Sequence, residues 1–566
     1  MRVLPLLLYA IHAAASLVSQ GSDPAVGSRD SFTEDLLVKP LPDGKVLLHF
    51  EFAFRRNHTQ HHYHLFPRQI GEIALRYDVD ELHLAFTQGN WRESRWGHPP
   101  VASQGVGADI RARIGGTDEH ASKQWKGLTN ALSGVFCASL NFIDESNTVF
   151  PQMAFTEDTY DRAPALRHGY LPRENVCTEN LTPWIKQLPC QSRSGLAALL
   201  NPYRLYNMHF HTMGMSLKPE SHTDDRSGQG MLRYTQYLSV VLDPQTMGLD
   251  SKWSLSELVD MPLAPACPVA EKSTVRILAP PGMDMNVEPS SAARSKHSGM
   301  DMYTFDLKQP DSTPSDIELV FAKAQHSDSA ASLKQLPAVA VHRYVTGHGG
   351  SSGGVEATIT NRDNRDIEIT YLDSLPWYLR VYSHKLEIHT YEATSDDVND
   401  SSRSGQATRL RPTKMIYVPA IDRGRPSTME IALTVPRHSH TVLRYSFDKG
   451  FLKYTEHPPD ANRGFNIGPA IVSYVVDSTP DSGLEQAPLY CTSSNNRVSN
   501  GACVVRVYSE LFLANLATPD FSMPYNVITF TCTILALFFG RIFNLLTRDF
   551  AILDVEKEEA KSTKTE

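Results

Sequence analysis

A chain of 566 residues, 21% of them charged and with a formal net charge of −9, is too long for one hydrophobic core and is read as two or more domains. Both signs of charge are dispersed, which leaves no basic patch and no ground for a nucleic-acid ligand.

In chain order, Met1 and Arg2 precede the apolar run Val3 to Ala10, small residues Ala13 to Ala15 and a polar stretch from Ser19. This is the layout of a secretory signal over residues 1–20, so the chain beyond it is expected in an oxidising lumen. In Lys45 to Phe54 the apolar Val46, Leu48, Phe50, Phe52 and Phe54 alternate with more polar neighbours, which predicts a half-buried strand. Gln69 to Tyr77 and Lys123 to Ser133 have helical spacing, with Trp125, Leu128 and Leu132 on one face of the second. Further strands are expected at Glu81–Thr87, Gln236–Leu242, Ile317–Ala322, Ile367–Tyr371, Tyr378–Tyr391, Met429–Val435, Thr441–Phe447 and Val504–Leu513.

The Pro-, Ser- and Met-rich run Ala279 to His297 reads as a linker, Lys308 to Ser315 as another polar stretch, and Gly347 to Gly354 as a flexible hairpin connection. Frequent strands with few long helices predict a mainly β chain with some α: two or more lumenal β-sandwich-like domains plus one C-terminal transmembrane helix. The expected boundaries are an α+β domain over 21–300, a β-rich domain over 301–524, a span over 525–547 and a cytosolic tail over 548–566.

The span is Tyr525 to Thr547. At about 1.5 Å per residue it reaches roughly 34 Å, enough for a hydrocarbon core of about 30 Å. Its one full charge, Arg541, lies toward the far end, where it can snorkel. Arg541, Arg548, Lys557, Lys561 and Lys564 all fall on the expected cytosolic side. A polar tail succeeds the span, whereas a removable lipid-anchor signal would end in its hydrophobic stretch, so the anchor is expected to be kept.

Of seven cysteines, Cys532 lies in the span and Cys137, Cys177, Cys190, Cys267, Cys491 and Cys503 lie in the lumenal part. Cys491 and Cys503 flank a polar Ser/Asn/Gly stretch, which favours a loop-closing bridge. The other four could form two internal bridges, or one bridge with a free thiol and a cysteine available to another chain. Cys137, ending a helix among apolar residues, is read as a buried structural thiol. The sequons at Asn57, Asn180 and Asn399 are candidate glycosylation sites.

Histidines cluster at His58, His61, His62 and His64 and again at His209 and His211, but no acidic or cysteine ligand stands at metal-like spacing beside them. They are read as surface or loop residues, and no metal or cofactor is expected. The Gly347 run lacks the Gly-Lys-Ser/Thr ending of a phosphate loop. No Gly-x-Ser-x-Gly elbow, His-Glu-x-x-His or protease-type cysteine setting occurs, so the chain has no self-contained catalytic motif. The aromatic clusters Asp373–Arg380 and Gly89–Gly97 read either as binding surfaces or as core packing with a turn. On residues alone, a single-pass lumenal receptor or chaperone-like binding protein competes with an independent glycan- or lipid-modifying enzyme. Stoichiometric partners on purification, or turnover by the isolated chain, would separate these readings.

Longer words carry more. Glu81-Leu-His-Leu-Ala-Phe-Thr-Gln-Gly89, Leu132-Ser-Gly-Val-Phe-Cys-Ala-Ser-Leu-Asn-Phe-Ile-Asp144, Val176-Cys-Thr-Glu-Asn-Leu-Thr-Pro-Trp184, Leu375-Pro-Trp-Tyr-Leu-Arg380 and Thr518-Pro-Asp-Phe-Ser-Met-Pro-Tyr-Asn-Val527 resemble the PIG-T family of glycosylphosphatidylinositol (GPI) transamidase subunits, in order along nearly the whole chain. The resemblance implies a non-catalytic core subunit of an endoplasmic-reticulum membrane complex that replaces a proprotein's C-terminal signal with a GPI anchor. Its implied partners are the caspase-like PIG-K subunit, a metallopeptidase-like subunit, PIG-S and PIG-U, with GPI lipid and proprotein as substrates. In that family the cysteine of the Val-Cys-Thr-Glu-Asn word, here Cys177, bonds to the caspase-like subunit. With Cys177 paired outside, Cys190 is expected to pair with Cys267 and Cys137 to stay free, while a glycan on Asn180 would crowd the partner. Tyr525, Asn526, Thr529 and Thr533, with Thr531, become candidates for a lipid-substrate groove shared with PIG-U; the plainer reading of Thr518–Asn526 is an interfacial anchor.

Overall fold

The structure, a computed structural model, describes residues 30–549 apart from segments 58–61, 102–104, 156–164, 173, 221–230, 250–251, 280–284, 298–299, 310–313, 322–336, 348, 393–406, 459, 478–501 and 521. The signal-like residues 1–20, Cys491, Asn399 and nearly all of the tail therefore lie outside the described residues. The chain forms two compact units, one running to Gly450 and resuming over Phe465–Ala514, the other made of Phe451–Gly464 and the chain from Asn515. It is mainly β, with several sheets and one apolar C-terminal helix.

The first half of the larger unit is built on an eleven-stranded sheet. Its strands are β1 (Ser31–Pro40), β2 (Val46–Asn57), β3 (Val79–Gln88), β4 (Gly107–Ile114), β5 (Thr148–Val149), β6 (Ala165–Leu171), β7 (Phe210–Glu220), β8 (Met231–Leu242), β10 (Lys272–Ala279), β12 (Ala293–His297) and β13 (Met300–Asp306). They run in the order β12-β13-β10-β1-β2-β8-β7-β3-β4-β6-β5, and β1 pairs with β10 in parallel. The period-two alternation read in β2 sets the face, because Val46, Leu48, Phe50, Phe52 and Phe54 are all buried in the main core. A three-stranded sheet of β9 (Lys252–Ser254), β11 (Met285–Glu288) and β14 (Glu318–Phe321) adds Trp253, Met285, Val287, Leu319 and Phe321 to that core.

The run Ala279 to His297 is thus not a linker. Inside it Met285 and Val287 alternate with Asn286 and Glu288 and pair with β14, while Ala293–His297 forms an edge strand of the large sheet. Proline and serine mark the turn between two short strands.

Helix Asp118–Phe136 packs Ala121, Trp125, Leu128, Leu132 and Phe136 on the sheet. Thr117 caps its start, and Asp118 and Glu119 complement its dipole. It ends at Cys137, whose φ of 51° is left-handed. That conformation also corrects the buried reading of Cys137: Phe136 takes the last core position, the chain turns, and the thiol is exposed and free.

The second half carries two five-stranded sheets. One joins β15 (Val339–Thr346), β16 (Ser352–Asn361), β22 (Ser439–Lys449), β18 (Leu379–Glu392) and β19 (Thr408–Arg409). The other joins β20 (Lys414–Val418), β21 (Ser427–Val435), β17 (Ile367–Leu375), β23 (Ile471–Asp477) and β24 (Ala502–Tyr508). They face each other across Asp373 of β17, which accepts hydrogen bonds from Arg343 of β15 and Tyr445 of β22 in the opposite sheet and from Tyr371 in its own, the last at 2.9 Å. The expected Gly347–Gly354 hairpin loop is shorter than its glycines suggest. Gly353 and Gly354 lie in β16 opposite Phe447 and Ser446, and a Cβ on Gly353 would stand 2.8 Å from the Phe447 ring.

Two clusters join the halves. The Glu430 carboxylate of β21 accepts the backbone N–H groups of Gln152, Met153 and Ala154 at 2.7, 2.7 and 2.8 Å. Beside it, the Arg111 and Arg506 guanidinium groups lie over the Phe155 ring, and Arg113 donates to the Phe155 carbonyl. Asp109 of β4 accepts from the Tyr508 hydroxyl at 2.9 Å and stands 3.3 Å from His168. Burial alone would push its carboxyl up, but the adjoining His168 and Arg111 hold it well below the usual carboxylate range.

In the smaller unit, helix Ser522–Thr547 contains the apolar stretch Tyr525–Thr547, long enough to cross a membrane.

Candidate functional site

Cys177 is the N-cap of helix Thr178–Lys186, with extended backbone at φ −146°. The helix is only nine residues long and carries Pro183 internally, so it leans on tertiary anchors. Trp184 supplies the chief one: it is 1% exposed, and its indole N–H donates to the Gly214 carbonyl at 3.1 Å. Asn180 supplies another. Its carbonyl oxygen accepts the Cys177 N–H at 3.0 Å and lies 3.4 Å from the Cys177 Sγ, while its amide nitrogen donates to the carbonyls of Phe136 and Cys137 at 2.9 and 3.2 Å. The carbonyl of Cys177 in turn accepts the Tyr206 hydroxyl at 2.7 Å. A free, half-buried thiol is therefore fixed at a helix start by bonds on both sides of its own peptide unit.

The same geometry removes Asn180 from the glycosylation candidates. The side chain is 1% exposed and its nitrogen is committed to two carbonyls, so the folded chain has no room for a glycan there. Asn57 is the last residue of β2, opposite Met231.

Behind Tyr206 lies His211, stacked on it at 5.5 Å between ring centroids. His211 is fully buried, which corrects its reading as a surface or loop residue: it points into the core side of β7, and burial holds its imidazole down at about 4. His209, two residues earlier, instead stands 3.4 Å from Asp243. Among the described residues no group of three His, Cys, Asp or Glu side chains converges as a metal site.

Cys190 and Cys267, 77 positions apart in sequence, are joined by a disulfide with Cα atoms 5.9 Å apart. Glu34 of β1 reinforces the closure, accepting from the N–H groups of Leu196 and Cys267 and from the Ser273 hydroxyl at 2.7 Å. Cys503 is disulfide-bonded as well.

Of the two aromatic clusters, Gly89–Gly97 is core packing with a turn. Trp96 is buried against Trp91, Leu41 and Phe210, and its indole donates to Asp43 at 3.0 Å. Trp377 is likewise buried.

Along the apolar helix every side chain described from Tyr525 to Phe539 is exposed. Asn526, Thr529, Thr533, Ala536, Gly540, Asn544 and Thr547 recur at three- and four-residue steps on one side. The Thr531 and Thr533 hydroxyls each donate at 2.8 Å to the carbonyl four residues back. Those two hydroxyls are satisfied inside the helix and call for no outside partner.

The family model for the Gpi16 subunit, GPI transamidase component, matches residues 14–250 and 244–566. This chain belongs to that family. Similar relatives are the GPI-anchor transamidase component PIGT of Mus musculus, 36% identical over 95% of this chain and 92% of its own length, and its Homo sapiens counterpart, 35% identical over 93% and 91%. The GPI transamidase component GPI16 of Saccharomyces cerevisiae is 28% identical over 92% and 90%. Gpi16-family similarity thus covers both compact units, and it includes Cys177 and the apolar helix alike.

Proposed function

We propose that this chain is a non-catalytic core subunit of the GPI transamidase, holding a caspase-like PIG-K subunit through a disulfide from Cys177 and helping to position substrate. The observation that carries this reading is the state of the cysteines around one anchored helix: Cys190 and Cys267 are closed on each other, while Cys177 is free, partly exposed and held by Asn180 and Tyr206. A thiol held this way offers a fixed attachment point. Neither Cys177 nor Cys137 has a histidine hydrogen-bonded to it among the described residues, which favours attachment over nucleophilic catalysis at this site. The subunit would act by aligning acyl donor with amine acceptor, lowering the entropic barrier to their reaction.

The bulk of the chain would lie in the lumen of the endoplasmic reticulum with a single C-terminal span, beside a metallopeptidase-like subunit, PIG-S and PIG-U. Cys177→Ser tests the central claim. On a non-reducing gel of the membrane complex the band joining this chain to the caspase-like partner is expected to disappear, while noncovalent complex persists because a large interface outlasts its bridge. A crosslink unaffected by the substitution would refute the assignment.

The span is proposed to do more than tether. Tyr525, Asn526, Thr529 and Thr533 would face the GPI lipid or PIG-U, since small and polar residues along one side suit a helix packed on protein or a headgroup. Replacing Tyr525 to Thr547 with a Leu/Ala span of equal length that keeps Arg541 should preserve the Cys177 crosslink and lower anchor transfer. Full transfer by the swapped protein would reduce the span to an anchor.

A further inference from the structure

The segment after β22, Phe451-Leu-Lys-Tyr-Thr-Glu-His457, belongs to the same compact unit as the apolar helix. Its fold is local: residues Tyr454–Glu456 make one 3-10 turn, opened by Lys453, whose backbone N–H donates to the Glu456 carboxylate at 2.7 Å. Aromatic rings in this turn and just before it are exposed. Phe451 is 81% exposed and Tyr454 43% exposed, and Lys453 is exposed between them.

The Tyr454 side chain hydrogen-bonds the side chain of Tyr525, and Tyr525 is the first residue of the membrane-crossing stretch. A tyrosine in that position sits where hydrocarbon gives way to headgroups, with its ring in the first and its hydroxyl in the second. Its bonded partner Tyr454 shares that depth. Phe451 is three residues from Tyr454, within about 11 Å by fully extended chain, which puts its ring within reach of the same boundary. A lone exposed phenylalanine on a soluble surface would need no explanation. This one stands three residues from a tyrosine bonded to the first residue of a span.

We propose that Phe451–Tyr454 is a second membrane contact, with the Phe451 ring dipping into the leaflet next to the start of the span, Tyr454 and Tyr525 bonded at headgroup level, and Lys453 meeting lipid phosphates. Continuity with the span selects this occupant over a protein partner, and an exposed cation flanked by aromatic rings is the composition that lipid interfaces favour. Such a contact adds a fixed point to a single helix, restraining its rotation and tilt where the chain enters the bilayer. The proposal rests on the apolar helix lying in a membrane, and not on the subunit's role in the complex.

Site-specific photocrosslinking on the full-length chain in its native membrane tests it. Benzoylphenylalanine is placed at Phe451, at Phe538 on the side of the span away from Asn526 and Gly540, and at Tyr203, which is 88% exposed in the other unit. Phospholipid adducts are expected at 451 and 538, and none at 203. A lipid adduct at 538 combined with a protein adduct, or no adduct, at 451 would overturn the second contact. Loss of the lipid adduct at 538 as well would overturn the span on which it rests.

Discussion

Asp373→Ala is expected to lower the stability of the larger unit by about 3–5 kcal/mol, because it removes one partner of a fully buried ion pair and strands the other. Arg343 and Asp373 side chains are 0% and 1% exposed, and the carboxylate also takes the hydroxyls of Tyr371 and Tyr445. Burial pushes both phenols up, so they stay protonated donors throughout the neutral range. Without the carboxylate, the Arg343 charge is left with the Gly468 carbonyl and the face of Phe512, 4.6 Å away, and the Tyr371 and Tyr445 phenols lose their shared acceptor. The measurement is the midpoint of thermal unfolding of the chain that precedes the apolar helix. The paired variant Asp373→Leu with Arg343→Met removes both charges and lets an apolar side chain lie on Phe512, so it should recover much of the loss. A double variant no more stable than Asp373→Ala would show that the polar groups, rather than the stranded charge, carry the effect.

The legible and illegible parts of this fold divide along one physical line. Alternation in β2 and the Trp125, Leu128, Leu132 stripe are readable because each reports its own burial, and the structure puts those residues in the core. Cys137 misleads because its whole surrounding word is apolar, whereas one left-handed residue at the helix end turns the thiol out. Met285 and Val287 are hidden by the Pro and Ser residues around them. At the candidate site, Cys177 stands out through the word that surrounds it, but its anchoring by Asn180 and Tyr206 is invisible in sequence: the first looks like a glycosylation acceptor, and the second is separated from it by 29 residues. Asp373 lies in a word conspicuous for its aromatic residues, with nothing local to announce Arg343 or Tyr445 across the sandwich. Long-range polar partners have no sequence period.

Glu430 is the sharpest instance, and it yields a prediction. In β21 the alternation of Met429, Ile431, Leu433 and Val435 assigns Glu430 to the outer, solvent-facing side, yet it is 1% exposed, since residues 151–155 lie across that side. Its carboxylate accepts three consecutive backbone N–H groups at 2.7–2.8 Å, a charge-assisted arrangement stronger than neutral bonds. Glu430→Ala removes this acceptor from all three donors, and a buried donor that loses its acceptor costs about 1–3 kcal/mol where water cannot reach. The amides of Gln152, Met153 and Ala154 should then exchange with solvent roughly 30-fold faster or more, equivalent to about 2 kcal/mol of lost local stability. Exchange at the Asp373 cluster should change far less, because the sandwich core keeps its own pairings. Glu430→Gln, which keeps one acceptor oxygen, should fall between the two. Hydrogen exchange read by mass spectrometry on the full chain decides it: equal protection of residues 152–154 in the Glu430→Ala variant and the parent would mean that the Phe155 ring, lodged between Arg111 and Arg506, holds this segment without help from the carboxylate.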